Sequence, residues 1–193
     1  MAEKNYRARS VLEKEKQSES VIKNIISLIR KGNKADAEKM LMTEMAKESV
    51  STHIYRRKMQ VILGFICLGK GDPEGAEKYF LKALKRRTAY GKERIENKIS
   101  LVSYSGLAIC CSRKYISEGD RAKKDIIKIR AEVYSELMTQ YIEVAENAET
   151  KELIRHIHAS ISLLQDLRGP NKSRKIKDLE SIDIIELIEI IAD

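Results

Sequence analysis

Tryptophan is absent from the 193-residue chain, and proline, phenylalanine and cysteine are scarce. Two prolines and nine glycines are too few for a collagenous or low-complexity chain. The three cysteines show no CxxC spacing, and an odd count does not fit a disulfide framework. We therefore expect reduced, structural thiols, as is typical of a cytoplasmic protein.

Long apolar runs are also missing. No stretch approaches the roughly 18 apolar residues of a membrane span, and the first thirty residues open with charge instead of a signal-peptide core. We predict a protein that is neither secreted nor bound to a membrane.

Catalytic and metal-binding patterns do not occur either. His156 and His158 are two positions apart and point to different faces of a helix, whereas a shared metal needs a spacing of three or four. The serines cluster at predicted caps and turns, and the cysteines fall in apolar helical stretches, so no nucleophile with a base can be nominated. The sequence predicts a non-enzymatic protein without cofactor or metal.

Apolar residues, 42% of the chain, recur at steps of three and four throughout, which predicts an all-α fold without strands. Gly, Asn and Pro signals divide the chain into eight predicted helices, which pair as antiparallel hairpins. These helices cover residues 4–31, with a break near 18–20, and 34–49, 52–69, 73–89, 92–116, 120–145, 150–167 and 174–192. We predict one domain with an N-terminal helix in 1–31, helix-hairpin repeats in 32–168 and a C-terminal helix in 172–193.

The predicted hairpins repeat in sequence. Six of ten positions match or nearly match between residues 32–41 and 71–80, each segment beginning with a glycine and ending in an apolar pair. A third, looser copy begins at Gly106. Repeats of this length indicate a stack in which each hairpin covers the apolar face of the next.

Small and large residues alternate at characteristic positions within residues 57–90, namely Leu63, Gly64, Ala76, Phe80 and Ala83. This segment resembles one tetratricopeptide repeat. The resemblance implies stacked antiparallel hairpins in a right-handed superhelix. The chain departs from the family pattern at Gln60, Cys67 and Thr88.

The tetratricopeptide family commonly binds a peptide or helix in a groove lined by the first helices of its repeats. The resemblance places five residues in that groove: Lys58, Val61, Ile62, Phe65 and Leu68. They are mostly apolar, which favours an amphipathic helix or an apolar peptide as the ligand. Alternatively, these residues are interior, packed between hairpins or beneath the N-terminal helix.

The net charge of +8 is concentrated in residues 51–100, which carry +7. The predicted basic patch consists of Arg56, Arg57, Lys85, Arg86, Arg87, Lys92, Arg94 and Lys98. Positive charge in the first turn of a helix opposes the helix dipole, so we expect Arg56, Arg57 and Lys58 to serve another purpose. The patch would steer an acidic protein partner or contact nucleic-acid phosphates.

The predicted C-terminal helix is apolar over more than half of its circumference and must be covered. It either caps the stack or packs against a second copy of the chain. The sequence favours a scaffold or adaptor that binds a protein partner. The alternatives are a protein associated with nucleic acid and a self-associating structural subunit.

Overall fold

The helices of the computed structural model pack in chain order. The structure describes residues 2–47, 53–85, 93–142 and 184–192. The helices within these ranges are α1 (Ala2–Arg30), α2 (Lys34–Ala46), α3 (His53–Gly69), α4 (Pro73–Leu84), α5 (Glu93–Ser117), α6 (Arg121–Ile142) and α7 (Ile184–Ala192). Helices adjacent in the chain contact each other from α1 to α6, and α7 packs against α1, α3 and α5. For the described residues the predicted all-α fold of packed helices is confirmed.

Several helix boundaries differ from the predictions. The helix α1 is continuous, without a break near 18–20, and Ser18 on it is 1% exposed. The helix α2 ends at Ala46 and α4 at Leu84, each followed by a lysine in an extended conformation. The predicted helix 150–167 and the first half of 174–192 lie outside the described residues.

The two aligned segments begin with the same turn. Gly32 and Gly71 have φ angles of 79° and 77°, in the left-handed region that favours glycine. In both turns the next residue donates its backbone N–H to the carbonyl five positions earlier, Asn33 to Leu28 and Asp72 to Cys67. This is the Schellman arrangement that closes a helix C-terminus. The sequence similarity therefore corresponds to a shared local structure.

Phe80 of α4 occupies the centre of the stack. A Cβ atom added to Gly64 of α3 would lie 2.6 Å from the Phe80 ring, and one added to Gly106 of α5 would also overlap it. The ring meets Phe65 edge to face, with centroids 5.0 Å apart. Because neither glycine has a side chain, α3 and α5 approach the same ring closely.

No helix within the four described ranges is both long and apolar enough to cross a membrane.

Candidate functional site

The five predicted groove residues lie on α3 and are buried. Val61, Ile62, Phe65 and Leu68 are at most 1% exposed, and Lys58 is 4% exposed. Their surroundings explain the burial, since α3 contacts α1, α2, α4, α5 and α7. These five side chains therefore lie in the interior of the described part of the chain.

The C-terminal helix α7 covers this part of the stack. Leu187, Ile188 and Ile191 are each 1% exposed, while α7 packs against α1, α3 and α5. We call the surface of α1, α3 and α5 beneath this helix the α7 groove. Burying three such side chains stabilises the docked helix by about 1.5–3 kcal/mol each. The α7 groove is therefore an apolar, helix-shaped site that is occupied by the chain itself.

Two cationic side chains, Arg30 and Lys58, make polar contacts with α7. Arg30, the last residue of α1, forms an ion pair with Glu189. Lys58 Nζ donates a hydrogen bond to the carbonyl of Ala192, the last residue of α7, at 3.2 Å. Carbonyl groups at a helix C-terminus lack intrahelical donors and carry partial negative charge, so a buried ammonium group is a favourable partner.

The aromatic ring beneath Lys58 completes this end of the α7 groove. Lys58 Nζ lies 5.7 Å from the centroid of the Tyr55 ring, a cation–π distance. The Tyr55 hydroxyl donates to Glu19 Oε1 of α1 at 2.9 Å. Burial and the neighbouring Glu19 raise the pKa of Tyr55, which keeps the phenol protonated and able to donate.

The side chains of the basic triplet, Arg56–Arg57–Lys58, donate hydrogen bonds to backbone carbonyls at the C-terminal ends of three helices. Arg56 Nη2 donates to the Met45 carbonyl of α2 at 2.7 Å, and Arg57 Nε donates to the Ala83 carbonyl of α4 at 2.5 Å. Lys58 caps α7 as described above. Each side chain therefore serves the C-terminus of another helix, which explains why three positive charges follow one another near the start of α3.

Arg57 was predicted to belong to a basic surface patch, and its position in the structure differs most from that prediction. It is 1% exposed, its Nη1 lies 3.8 Å from Glu96 Oε2, and its Nη2 donates to Ser100 Oγ at 3.3 Å. Glu96 is itself 6% exposed, so this is a buried ion pair joining α3 to α5. Arg57 belongs to the interior and is unavailable to an external phosphate.

The other patch residues are only partly described. Lys85 is exposed immediately after the end of α4, and Lys98 is half-buried on α5. The residues Arg86, Arg87 and Lys92 and the side chain of Arg94 lie outside the described part of the chain. Among the described patch residues, Arg56 and Lys85 are exposed.

An ion cluster that was not predicted from the sequence lies between α4, α5 and α6. Lys114 Nζ lies 2.5 Å from Glu77 Oε2 and 3.5 Å from Glu74 Oε1, and Arg130 Nη1 lies 3.4 Å from Glu77 Oε1. The four residues are separated by up to 56 positions, and no spacing rule would pair them. The cluster joins three helices and involves only groups that neutralise one another.

The thiols of α5 are poor nucleophiles. Burial raises the pKa of Cys110, and burial together with Glu77 raises the pKa of Cys111 to about 12. Both sulfurs therefore remain protonated near neutral pH. Within the described residues no group of three or more histidine, cysteine, aspartate and glutamate side chains could hold a metal ion.

The chain was compared with protein-family models, with curated proteins and with solved structures, and none of them matches.

Proposed function

We propose that this protein is a non-catalytic interaction scaffold of tetratricopeptide-like helix hairpins, which binds an amphipathic helix of a partner protein in the α7 groove. The observation that carries the proposal is the seating of α7 across α1, α3 and α5. A surface that buries an amphipathic helix in cis has the shape and apolarity to accept one in trans.

The chemistry of the described residues supports a binding role. The charged clusters at Arg57 and Glu77 are paired within the stack. The thiols Cys110 and Cys111 are buried and protonated. By contrast, the α7 groove combines an apolar surface with two cations, Arg30 and Lys58, suited to an acidic helix. Three free, buried cysteines support a reducing, cytoplasmic location as part of the proposal.

The nucleic-acid alternative and the self-association alternative remain predictions. The internal roles of Arg56 and Arg57 give their positions a structural explanation, so the described patch offers no specific observation in favour of phosphate binding. The buried face of α7 packs against its own chain.

A direct test opens the α7 groove and supplies a helix in trans. The full-length Leu187→Glu/Ile191→Glu variant places two charges on the buried face of α7 and should release it. We expect this variant to bind a fluorescent peptide of residues 176–193, measured by anisotropy, and not the same peptide carrying both glutamates. Absence of binding by a variant with wild-type helical circular dichroism would contradict the proposed function.

A further inference from the structure

We propose that α7 is a built-in competitor for the α7 groove, and that the partner is an acidic amphipathic helix with the same pattern of contacts. This inference rests on the proposed function and adds two things to it: the chemistry of the partner and the reason why the unliganded protein is closed. The pattern consists of an apolar face, an acidic residue opposite Arg30 and a helix end opposite Lys58.

The apolar face of α7 provides the hydrophobic contacts with the α7 groove. Leu187, Ile188 and Ile191 follow a spacing of i, i+1 and i+4, which places them on one side of a helix, and each is 1% exposed. Any helix with branched aliphatic residues at these positions would present a similar surface. This part of the recognition favours aliphatic helices without selecting among them.

Arg30 adds discrimination by charge. Its guanidinium pairs with Glu189, and both side chains are partly exposed, at 58% and 35%. The pair lies at the end of α1, so a partner helix with a lysine at this position would set two cations against each other. The α7 groove therefore prefers an acid three positions before the end of the helix.

Lys58 adds discrimination by helix direction and length. Its ammonium group is buried, lies over the Tyr55 ring and donates to the Ala192 carbonyl. A helix docked in the reverse direction would bring its positive N-terminal end to this ammonium group. A helix extended by a further turn would bond its own carbonyls and remove the acceptor. The site therefore selects a helix that ends at Lys58.

The length of α7 makes it replaceable. A helix of nine residues is too short to be stable in water by itself, so α7 depends on its contacts with the stack. A partner must nevertheless compete with a helix that is covalently attached. If α7 is docked about 90–99% of the time, the affinity for a partner is lowered about 10- to 100-fold.

The experiment measures binding of the labelled 176–193 peptide to three full-length proteins. These are the wild type, the Glu189→Arg variant, in which α7 is repelled by Arg30, and the Leu187→Glu/Ile191→Glu variant. The matched control is Ile129→Glu, on an exposed face of α6. We expect the Leu187→Glu/Ile191→Glu variant to bind about 10- to 100-fold more tightly than the wild type and the control, and Glu189→Arg to bind about two- to fivefold more tightly, because the ion pair that it breaks is partly exposed. Added peptide should also accelerate hydrogen exchange of residues 184–192 in the wild type.

Two peptide variants test the recognition pattern. The Glu189→Lys peptide should bind weakly to the protein with α7 released and regain affinity when the protein also carries Arg30→Glu. A peptide extended by one helical turn should bind weakly to every protein.

The outcomes separate the two proposals. Equal affinity of the wild type and the α7 variants would overturn the competition. Equal affinity for the acidic, charge-reversed and extended peptides would overturn the recognition pattern and leave a generic helix-binding groove. If the α7 variants are folded and bind no peptide, the proposed function itself fails. If the double variant unfolds, Glu189→Arg gives the answer alone, since it changes only a partly exposed residue.

Discussion

Two surfaces of this protein carry aliphatic side chains at helical spacing, and they differ in what lies against them. On α7, Leu187, Ile188 and Ile191 are each 1% exposed. On α6, the side chains that we call the α6 stripe are between 48% and 60% exposed, and they are Ile126, Ile129 and Val133. Periodicity thus identifies an apolar face but does not say whether it is covered.

The polar contacts distinguish the two surfaces. Around α7, Arg30 and Lys58 each contact the helix, one through a carboxylate and the other through the terminal carbonyl. On α6, Arg130 beside the stripe turns to Glu77 of the neighbouring α4. The cations around α7 specify where and in which direction a helix lies, whereas the charge beside the α6 stripe stabilises the stack itself.

The largest expected effect concerns the buried ion pair between Arg57 of α3 and Glu96 of α5. Arg57→Ala removes the partner of Glu96 and should lower the free energy of unfolding by about 3–5 kcal/mol, because a buried carboxylate loses its countercharge. Urea denaturation followed by circular dichroism measures this loss. Arg56→Ala, at an exposed arginine, is the matched control and should cost about 1 kcal/mol or less. Similar losses in the two variants would contradict the interior role of Arg57.

The second effect compares the two apolar surfaces directly. Ile188→Ala should cost about 1–3 kcal/mol, because it leaves a cavity beneath α7 and the loss cannot exceed the free energy by which α7 docks. Ile129→Ala on the α6 stripe should change stability by about 0.5 kcal/mol or less, because the side chain is already 60% exposed. The same denaturation measurement applies to both. A large loss for Ile129→Ala would mean that the stripe is covered in solution and would end the comparison.

The third effect tests the packing around the Phe80 ring, between α4 and α5. Gly106→Ala places a methyl group against the Phe80 ring and should cost about 1–3 kcal/mol by overpacking, partly offset by the better helix propensity of alanine. Gly119→Ala is the control, since nothing lies within 4 Å of its added Cβ. A midpoint of thermal unfolding for Gly106→Ala at or above that of the control would show that α5 does not approach the ring so closely.

The smallest expected effect concerns the thiols of Cys110 and Cys111, which should not react in the native protein. Cys110 and Cys111 are buried, and the pKa of Cys111 is raised to about 12, so at pH 8 both are protonated and shielded. We expect a thiol reagent to label neither residue within minutes in the native protein and both in denaturant. Mass spectrometry of the labelled peptides identifies the sites. Rapid native labelling would show that α5 is open on this side.

The fold was largely predictable because it depends on local signals. The spacing of apolar residues predicted helices throughout, and the glycines at 32 and 71 predicted two turns of the same kind. The small residue at Gly64 and the large one at Phe80 indicated the close approach of neighbouring helices. Helix ends were less accurate, since α2 ends at Ala46 and α4 at Leu84, before the predicted ends at 49 and 89.

The site was less predictable because its contacts join distant parts of the chain. Sequence analysis singled out Lys58 as a groove residue and the last helix as a capping element, but nothing local connects Lys58 to Ala192. The unfavourable charge of the basic triplet near the start of α3 was a correct signal of an unusual role. The triplet was interpreted as part of a surface patch. The alternative is that its cations cap the C-termini of neighbouring helices.

The most direct test of the central claim is hydrogen exchange of residues 184–192 in the full-length protein, measured by mass spectrometry. Because nine residues do not form a stable helix alone, protection of these amides requires that α7 is docked on the stack. The account predicts that they exchange at least about tenfold more slowly than in the isolated 176–193 peptide, and that Leu187→Glu/Ile191→Glu removes this protection. Exchange in the wild type as fast as in the peptide would contradict the occupied α7 groove.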